Sequence, residues 1–177
     1  YEMIPFQYSL HQVRGANAVA EHREYLAPVE GDWRAVLLEQ LLADLGTEGS
    51  IMVYSSFEKA RLKELAAHFP EQAHRIEGVV ARMLDLEAVF RLGYWHPAFK
   101  GRTSIKQVLP VMVPDRSLSY AALPVNNGDD ALGLFGLLRV GEIDRAEAES
   151  RRAELLRYCA LDTMAMVRLH EAVARLL

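Results

Sequence analysis

Two carboxylates, Asp162 and Glu58, are the side chains whose positions in this 177-residue chain most clearly predict chemistry. Asp162 lies four residues after Tyr158 in a C-terminal stretch, from about 146 to 177, that has helical periodicity. At about 100° per residue, Asp162 falls within the apolar stripe of that helix. The stripe comprises Leu155, Tyr158, Cys159, Met166, Leu169 and Val173. A carboxylate directed at the interior is costly unless it is paired, hydrogen-bonded or bound to a metal ion.

Glu58 follows a short apolar run at 51–54, at the point where helical periodicity begins near Phe57. Ligand sites in α/β sheets usually form at the carboxyl ends of strands. The helical angles place Glu58 on the same side as Leu62 and Leu65, so this second carboxylate also faces the interior.

Both acids have ordinary structural interpretations. Ser55-x-x-Glu58 matches a capping box, in which serine and glutamate satisfy the first amides of a helix, and local sequence alone favours that interpretation. For Asp162, a structural hydrogen bond to a neighbouring tyrosine or arginine and a functional role stay equally open. The occurrence of two inward carboxylates in one chain is what favours chemistry.

The elements that must position these acids are predicted from periodicity and turn residues. Strands are expected at 6–13, 21–26, 51–54 and 83–86, with Gly15 and Asn17 in the turn of an antiparallel hairpin. Helices are expected at 33–45, 57–68, 71–82, around 104–109, from Asp129 or Asp130 onward, and at 146–177. This order predicts one α/β domain over residues 1–177, with a mixed sheet flanked by helices on both faces.

Composition predicts a soluble cytoplasmic protein without a membrane partner. The formal net charge is -4 and 51% of the residues are hydrophobic. No apolar run approaches about 18 residues, no signal peptide opens the chain, and the single cysteine fits a reducing compartment. The charge excludes a global basic field, although a local basic patch could still bind nucleic acid.

The best local patch lies in the loop after residue 93. Trp95 could stack on unpaired bases, while Lys100, Arg102 and Lys106 could hold a nucleic-acid backbone. The aromatic residues of this loop could instead anchor it to the core, and anchoring is the more frequent use of aromatic side chains.

Several segments resemble known families. Tyr158-x-x-x-Asp162 is similar to the third motif of the DnaQ-like 3′–5′ exonucleases, in the subgroup with tyrosine rather than histidine. Phe57-Glu58 resembles their second motif, which usually ends in aspartate. Longer segments resemble an uncharacterised bacterial domain family whose members are thought to be DnaQ-like domains, often following a RecB-like or Cas4-like nuclease module. These segments are 4–11, 56–59, 96–101, 104–110 and 158–163.

The resemblance implies a ribonuclease H-like fold and a divalent-metal-dependent 3′–5′ exonuclease that hydrolyses phosphodiester bonds at single-stranded ends of DNA or RNA. In such enzymes two Mg²⁺ or Mn²⁺ ions held by carboxylates stabilise the charge that develops on the phosphate. The resemblance implies that Asp162 is a metal ligand and that Glu58 is a second one, directly or through water. It implies that Tyr158 orients the attacking water.

Two departures from the family pattern matter. The first motif of the family, Asp-x-Glu on the opening strand, has no counterpart before Phe6, and Glu2 has no acidic partner. We therefore expect this chain to be a C-terminal fragment that lacks the first strand and is inactive or nearly so. In addition, Glu58 replaces the usual aspartate and is longer by one methylene group.

Two other classes of function stay open: a non-catalytic module that binds nucleic acid or scaffolds a partner nuclease, and a purely structural domain with hydrogen-bonded acids. Zinc chemistry is disfavoured, because the six histidines show no HxH or HxxxH spacing. The absence of Gly-x-Ser-x-Gly, Walker and GxGxxG motifs disfavours serine hydrolase, NTPase and dinucleotide-binding functions.

Overall fold

The computed structural model describes residues 4–15, 18–115, 118–120, 123–141 and 143–176, so Glu2 and Asn17 lie outside the described residues. The strands are β1 Gln7–Gln12, β2 Glu21–Leu26, β3 Ile51–Val53 and β4 Met83–Asp85. The α-helices are α1 Arg34–Leu45, α2 Phe57–His68, α3 Ala73–Ala81, α4 Ile105–Met112, α5 Gly128–Val140 and α6 Arg145–Ala174. Short helical turns occupy Pro70–Gln72, Val89–Gly93 and Pro97–Phe99.

The predicted hairpin is confirmed, with β1 and β2 antiparallel and Gln7 opposite Leu26. Because side chains alternate along a strand, the hairpin has two different faces. On one face the Tyr8 hydroxyl donates a 2.6 Å hydrogen bond to Asp44 of α1. On the other, Ser9 contacts Thr163 of α6. The hairpin is therefore held between these two helices.

β3 and β4 form a parallel pair in which Val53 lies opposite Asp85. Both strands were predicted, and both are short. In the described parts of the chain the four strands form two separate two-stranded sheets, β1–β2 and β3–β4. The mixed α/β character is thus confirmed, and the joining of the strands into one sheet stays a prediction.

The long helix α6 is the element that links the parts of the core. Asp144 caps it by accepting a 2.9 Å hydrogen bond from the Glu147 amide. One hydrophobic cluster contains the hairpin, α1, α5 and the first half of α6, and a second contains the segment after β4, α4 and the second half of α6. Tyr158 packs against both clusters. A third cluster joins α1, α2 and α3.

Several helix boundaries agree with the sequence prediction. α2 begins at Phe57 and ends at His68 as predicted. Asp129 and Asp130 lie in the first turn of α5, where the Asn127 side chain is the cap, so their predicted helix-opening role is confirmed. The helix predicted at 71–82 is shorter, because Pro70–Gln72 forms a separate tight turn before α3. No helix in the described ranges is both long and apolar enough to cross a membrane.

Candidate functional site

Asp162 is half-buried on α6, and two tyrosine hydroxyls lie close to it. The Tyr120 hydroxyl donates a 2.6 Å hydrogen bond to Asp162 Oδ1. The Tyr158 hydroxyl, one helical turn before Asp162, lies close enough to this carboxylate for the two groups to shift each other's pKa. Burial raises the pKa of Asp162, and the two hydroxyls and the positive charge of Lys106 act in the opposite direction. The hydroxyls and the Lys106 charge therefore offset only part of the cost of burying the Asp162 carboxylate.

Both tyrosines stay protonated at neutral pH. Burial and the negative charge of Asp162 raise the pKa of Tyr120 and of Tyr158 well above the usual tyrosine range. Their rings meet edge to face with 6.4 Å between centroids. The sequence did not predict Tyr120 as a site residue, because a contact between residues so far apart in the chain leaves no local pattern.

Glu58 lies in the first turn of α2 and shares the interior region of Asp162. Its Oε2 atom is buried and has no hydrogen-bond partner. Burial, followed by the negative charges of Asp162 and Asp85, raises the pKa of Glu58 to about 7, although its own backbone amide opposes the shift. The structure therefore places the two carboxylates that the sequence singled out within electrostatic reach of each other.

The thiol of Cys159 lies among these acids. Burial, followed by the charges of Asp162, Glu24 and Glu58, raises the pKa of this thiol. Because the thiol stays protonated, Cys159 packs as the small apolar side chain that the sequence predicts.

The capping-box interpretation of Glu58 is wrong. The cap residue of α2 is Ser56, not Ser55, and no side chain caps the helix. Ser55 has a left-handed backbone with φ of 81°. Its hydroxyl makes only a 3.4 Å contact with the Phe57 amide, so it does not reach the amide of Glu58.

Asp85, at the end of β4, has a capping role. Its Oδ1 accepts 2.9 Å hydrogen bonds from the amides of Ser55 and Glu87. Its Oδ2 lies 3.4 Å from an Arg91 nitrogen. The oxygens of Asp85 are thus occupied as in a helix or turn cap. Within the described ranges, no three His, Cys, Asp or Glu side chains are grouped so as to hold a metal ion.

The predicted nucleic-acid patch divides into two parts. Trp95 is 72% exposed, and Lys100 and Arg102 are also exposed. Tyr94 instead packs against Phe90 and Phe99, so anchoring describes Tyr94 but not Trp95.

Lys106 lies with the carboxylates rather than with Trp95. Its ammonium group is 5.4 Å from the centroid of the Tyr120 ring, and it also donates to the Asn126 carbonyl. The loop that carries Lys100 and Arg102 adjoins the carboxyl end of β3, because the Tyr54 hydroxyl donates a 2.5 Å hydrogen bond to the Thr103 carbonyl.

A polar cluster that the sequence did not predict lies between the hairpin and α6. Thr163 Oγ1 is 2.8 Å from Ser9 Oγ and 2.7 Å from His11 Nδ1. His22 Nε2 lies 2.8 Å from Ser9 Oγ, and the His11 and His22 rings stack with 4.4 Å between centroids. Burial and the neighbouring His22 lower the pKa of His11 to about 4. Strand alternation places Ser9 and His11 on one face, which is the only sequence signal for this cluster.

The chain is similar to three proteins from species of Mycoplasma and Ureaplasma. An uncharacterized protein of Mycoplasma pneumoniae is 34% identical over 129 residues, which cover 67% of this chain and 19% of that protein. A second, from Mycoplasma genitalium, is 28% identical over 142 residues, covering 74% of this chain and 21% of that protein. A third, from Ureaplasma parvum, is 27% identical over 135 residues, covering 67% of this chain and 19% of that protein. This chain thus spans about a fifth of the length of these relatives.

No solved structure matches the chain. A family model does match it: the domain of unknown function DUF2779, over residues 1–104, a range that contains β1 to β4 and Glu58. Because that match covers more than half of the residues of this chain, the chain belongs to the DUF2779 family.

Proposed function

We propose that this chain is part of a divalent-metal-dependent 3′–5′ exonuclease of the DnaQ type. The observation that carries the proposal is that Glu58 Oε2 is buried without a hydrogen-bond partner while the charge of Asp162 acts on the same carboxylate. Two neighbouring half-buried carboxylates repel each other, and a bound cation would remove that repulsion.

The donor atoms fit a hard cation. Mg²⁺ and Mn²⁺ prefer carboxylate oxygens, and Asp162 and Glu58 would hold the ion. When bound, it would stabilise the negative charge that develops on the phosphate during hydrolysis. No third ligand is grouped with these two acids in the described part of the chain. Water or residues outside the described part of the chain would therefore complete the coordination.

Three other side chains have roles in this proposal. The protonated Tyr158 hydroxyl, which is directed at Asp162, would orient the attacking water by a hydrogen bond. Tyr120 holds Asp162 in one orientation through Oδ1. The ammonium group of Lys106, close enough to Asp162 to lower its pKa, would contact a phosphate oxygen.

The proposed fold is ribonuclease H-like. In the described residues β1 pairs only with β2, and β3 pairs only with β4. A strand inserted between β1 and β3 would join the two pairs into one mixed sheet, and an Asp-x-Glu on that strand would supply the remaining ligands. The relatives are about five times as long as the matched region, which leaves room for such a strand and for a RecB-like or Cas4-like nuclease module.

The substrate in this proposal is a single-stranded 3′ end of DNA or RNA. Trp95 is exposed for stacking on a base, and Lys100 and Arg102, a few residues later in the chain, are exposed as well. Stacking on aromatic side chains suits unpaired bases of any sequence. The hydrogen bond between Tyr54 and Thr103 places this loop next to the strand end that leads to Glu58.

The test is cleavage of a 3′-labelled single-stranded oligonucleotide with Mg²⁺ or Mn²⁺. We expect a version extended upstream to include an Asp-x-Glu strand to release mononucleotides, and this chain alone to be inert. Asp162→Asn should abolish cleavage and Tyr158→Phe should reduce it strongly, whereas Asp129→Asn, at the exposed start of α5, is the matched control. A folded but inert extended version would refute the proposal.

A second candidate function is a non-catalytic module that binds nucleic acid or scaffolds a partner nuclease. It is favoured by the exposure of Trp95 together with the lack of a three-residue metal group among the described side chains. It predicts oligonucleotide binding that survives Asp162→Asn and Glu58→Gln, without metal-dependent cleavage. A purely structural domain, in which Tyr120 and Tyr158 alone satisfy Asp162, predicts neither binding nor cleavage.

A further inference from the structure

The turn between β3 and α2 determines the direction of Glu58. Ser55 lies in this turn with φ of 81°, in the left-handed region that residues with a side chain rarely adopt. Such a conformation persists only where the surroundings hold it. Because Glu58 follows in the first turn of α2, the conformation at Ser55 sets the angle at which its side chain leaves the strand end.

Asp85 is what holds Ser55. The parallel register of β3 and β4 places Asp85 opposite Val53, two residues before Ser55. The Ser55 amide donates a 2.9 Å hydrogen bond to Asp85 Oδ1, and the Glu87 amide donates to the same oxygen. A carboxylate that accepts two backbone amides is fixed in one orientation.

The contacts continue from Asp85 to the loop that carries Lys100 and Arg102, which we call the basic loop. Arg91 contacts Asp85 Oδ2 at 3.4 Å and Glu87 Oε2 at 3.7 Å. The other oxygen of Glu87 accepts a 2.8 Å hydrogen bond from Thr103 Oγ1. The Thr103 carbonyl accepts from Tyr54, which precedes Ser55. The turn, the end of β4 and the loop that follows Arg102 are therefore connected by one closed set of hydrogen bonds and ion pairs.

We propose that Asp85 is a positioning residue of the carboxylate site, which holds Ser55 left-handed and thereby directs Glu58 toward Asp162. Through Glu87 and Thr103 it also fixes the basic loop relative to Glu58. This role rests on the proposed function only in taking Glu58 as a metal ligand. Asp85 is not itself a ligand in this proposal, because its two oxygens are already engaged by the backbone amides and Arg91.

Three variants separate the hydrogen bond of Asp85 from its charge. Asp85→Asn keeps an acceptor oxygen for the Ser55 amide and removes the charge. Asp85→Ala removes both. The double variant Asp85→Ala with Ser55→Gly lacks the acceptor but no longer needs it, since glycine adopts positive φ without cost.

The first measurement is amide hydrogen exchange in the protein by NMR. The probes are the Ser55 amide, bonded to Asp85, and the Ala60 amide, which donates a 3.0 Å hydrogen bond to Ser56 in the first turn of α2. We expect Asp85→Ala to lower protection at both about tenfold, as for one lost hydrogen bond, and Asp85→Asn to stay within about threefold of the native protein. The double variant should restore native protection of the Ala60 amide but not of the amide at position 55. The amide of Leu169 in α6 is the control for global unfolding.

The second measurement is Mn²⁺ binding by calorimetry in the same variants of the version extended upstream to include the Asp-x-Glu strand. Asp85→Ala should weaken binding about tenfold. Asp85→Asn, which keeps the acceptor, and the double variant, which no longer needs it, should bind Mn²⁺ as the native protein does. Unchanged Ala60 protection in Asp85→Ala would overturn the proposal. Equal damage from Asp85→Asn would also overturn it, because Asp85 would then act through its charge. If the extended native protein binds no Mn²⁺, the proposed function fails, and Ala60 protection alone decides whether Asp85 positions the turn.

Discussion

The Tyr120 hydroxyl lies 2.6 Å from Asp162 Oδ1 and donates a hydrogen bond to it, across a separation of 42 residues in the chain. This bond ties the segment before α5 to the middle of α6. It also gives Asp162 the structural partner that a carboxylate on an apolar helix face requires. Because Tyr120 occupies one of the carboxylate oxygens, a cation at Asp162 would have to use the other or displace the hydroxyl.

Tyr120→Phe tests how much of the stability depends on this bond. Removing the donor leaves a half-buried carboxylate with Tyr158 as its remaining hydroxyl partner. We expect a loss of about 1–3 kcal/mol in the free energy of unfolding at pH 8, measured by urea denaturation. The loss should shrink at acidic pH, where Asp162 is protonated.

Tyr25→Phe is the matched control for Tyr120→Phe. Tyr25 is also partly buried, and no hydrogen bond of its hydroxyl is found within the described residues. Its removal should cost less than about 1 kcal/mol. Equal losses for the two variants would show that the bond to Asp162 contributes nothing particular.

Glu58→Gln should stabilise the protein at high pH. The pKa of Glu58 is raised to about 7 from its ordinary value of 4.5, so between these values the folded state binds more protons than the unfolded state. The free energy of unfolding therefore falls as pH rises from about 4.5 to 7. Glutamine removes the ionisation, and we expect a gain of about 1–2 kcal/mol at pH 8, allowing for partial exposure, that disappears near pH 4.

The gain in Glu58→Gln is measured by urea denaturation at both pH values without divalent metal. Glu77→Gln, at an exposed position on α3, is the control and should change little at either pH. A destabilised Glu58→Gln at pH 8 would mean that the ionised carboxylate has a favourable partner, contrary to the orphaned Oε2.

Local periodicity explains how much of this fold the sequence could predict. α2, α6 and all four strands were predicted because apolar spacing and turn residues are local signals. The inward direction of Glu58 was predicted for the same reason, since it follows from the helical angle relative to Leu62 and Leu65. The pairing of β3 with β4 and the separation of the two sheets depend on contacts between distant segments.

The site residues that the sequence misread or missed also depend on contacts between segments that are distant in the chain. Ser55 matched a capping box, but an acceptor on β4, Asp85, turns its backbone left-handed and leaves Ser56 as the cap. Tyr120 and Thr163 were missed because their partners come from other elements. A single sequence reports what one element prefers, not which neighbour will override that preference.

His11 should make the protein less stable in mild acid. Its pKa is lowered from 6.5 to about 4 by burial and by His22, which itself lies 3.7 Å from Glu24. Between these pH values the unfolded state binds the proton and the folded state does not, so the free energy of unfolding falls as pH decreases from 6.5 to 4. We expect this group to contribute about 1–3 kcal/mol of that fall, discounted for partial exposure.

The contribution of His11 is isolated with His11→Asn, whose side-chain amide can still donate to Thr163 but does not titrate. Urea denaturation from pH 4 to pH 8 should show a flatter profile for this variant than for the native protein. His74→Asn, at an exposed position on α3, is the control and should keep the native slope. Identical slopes for His11→Asn and the native protein would contradict the buried neutral imidazole.

Trp95→Ala tests whether the exposed face of the loop binds single-stranded nucleic acid. An aromatic side chain that stacks on a base contributes about 1–3 kcal/mol, so binding of a fluorescent oligonucleotide should weaken by about fivefold or more. Lys100→Ala and Arg102→Ala should also weaken binding and should reduce its dependence on salt.

Leu92→Ala is the control for Trp95→Ala, because Leu92 is 81% exposed, lies three residues earlier and cannot stack on a base. If both substitutions weaken binding equally, the effect is a general loss of apolar surface. If neither substitution weakens binding, this surface does not bind single strands. A substrate would then have to reach Asp162 from the side of Lys106, whose charge acts on Asp162. Only a loss specific to Trp95 supports stacking, because the two exposed side chains are close in the sequence and differ in the aromatic ring.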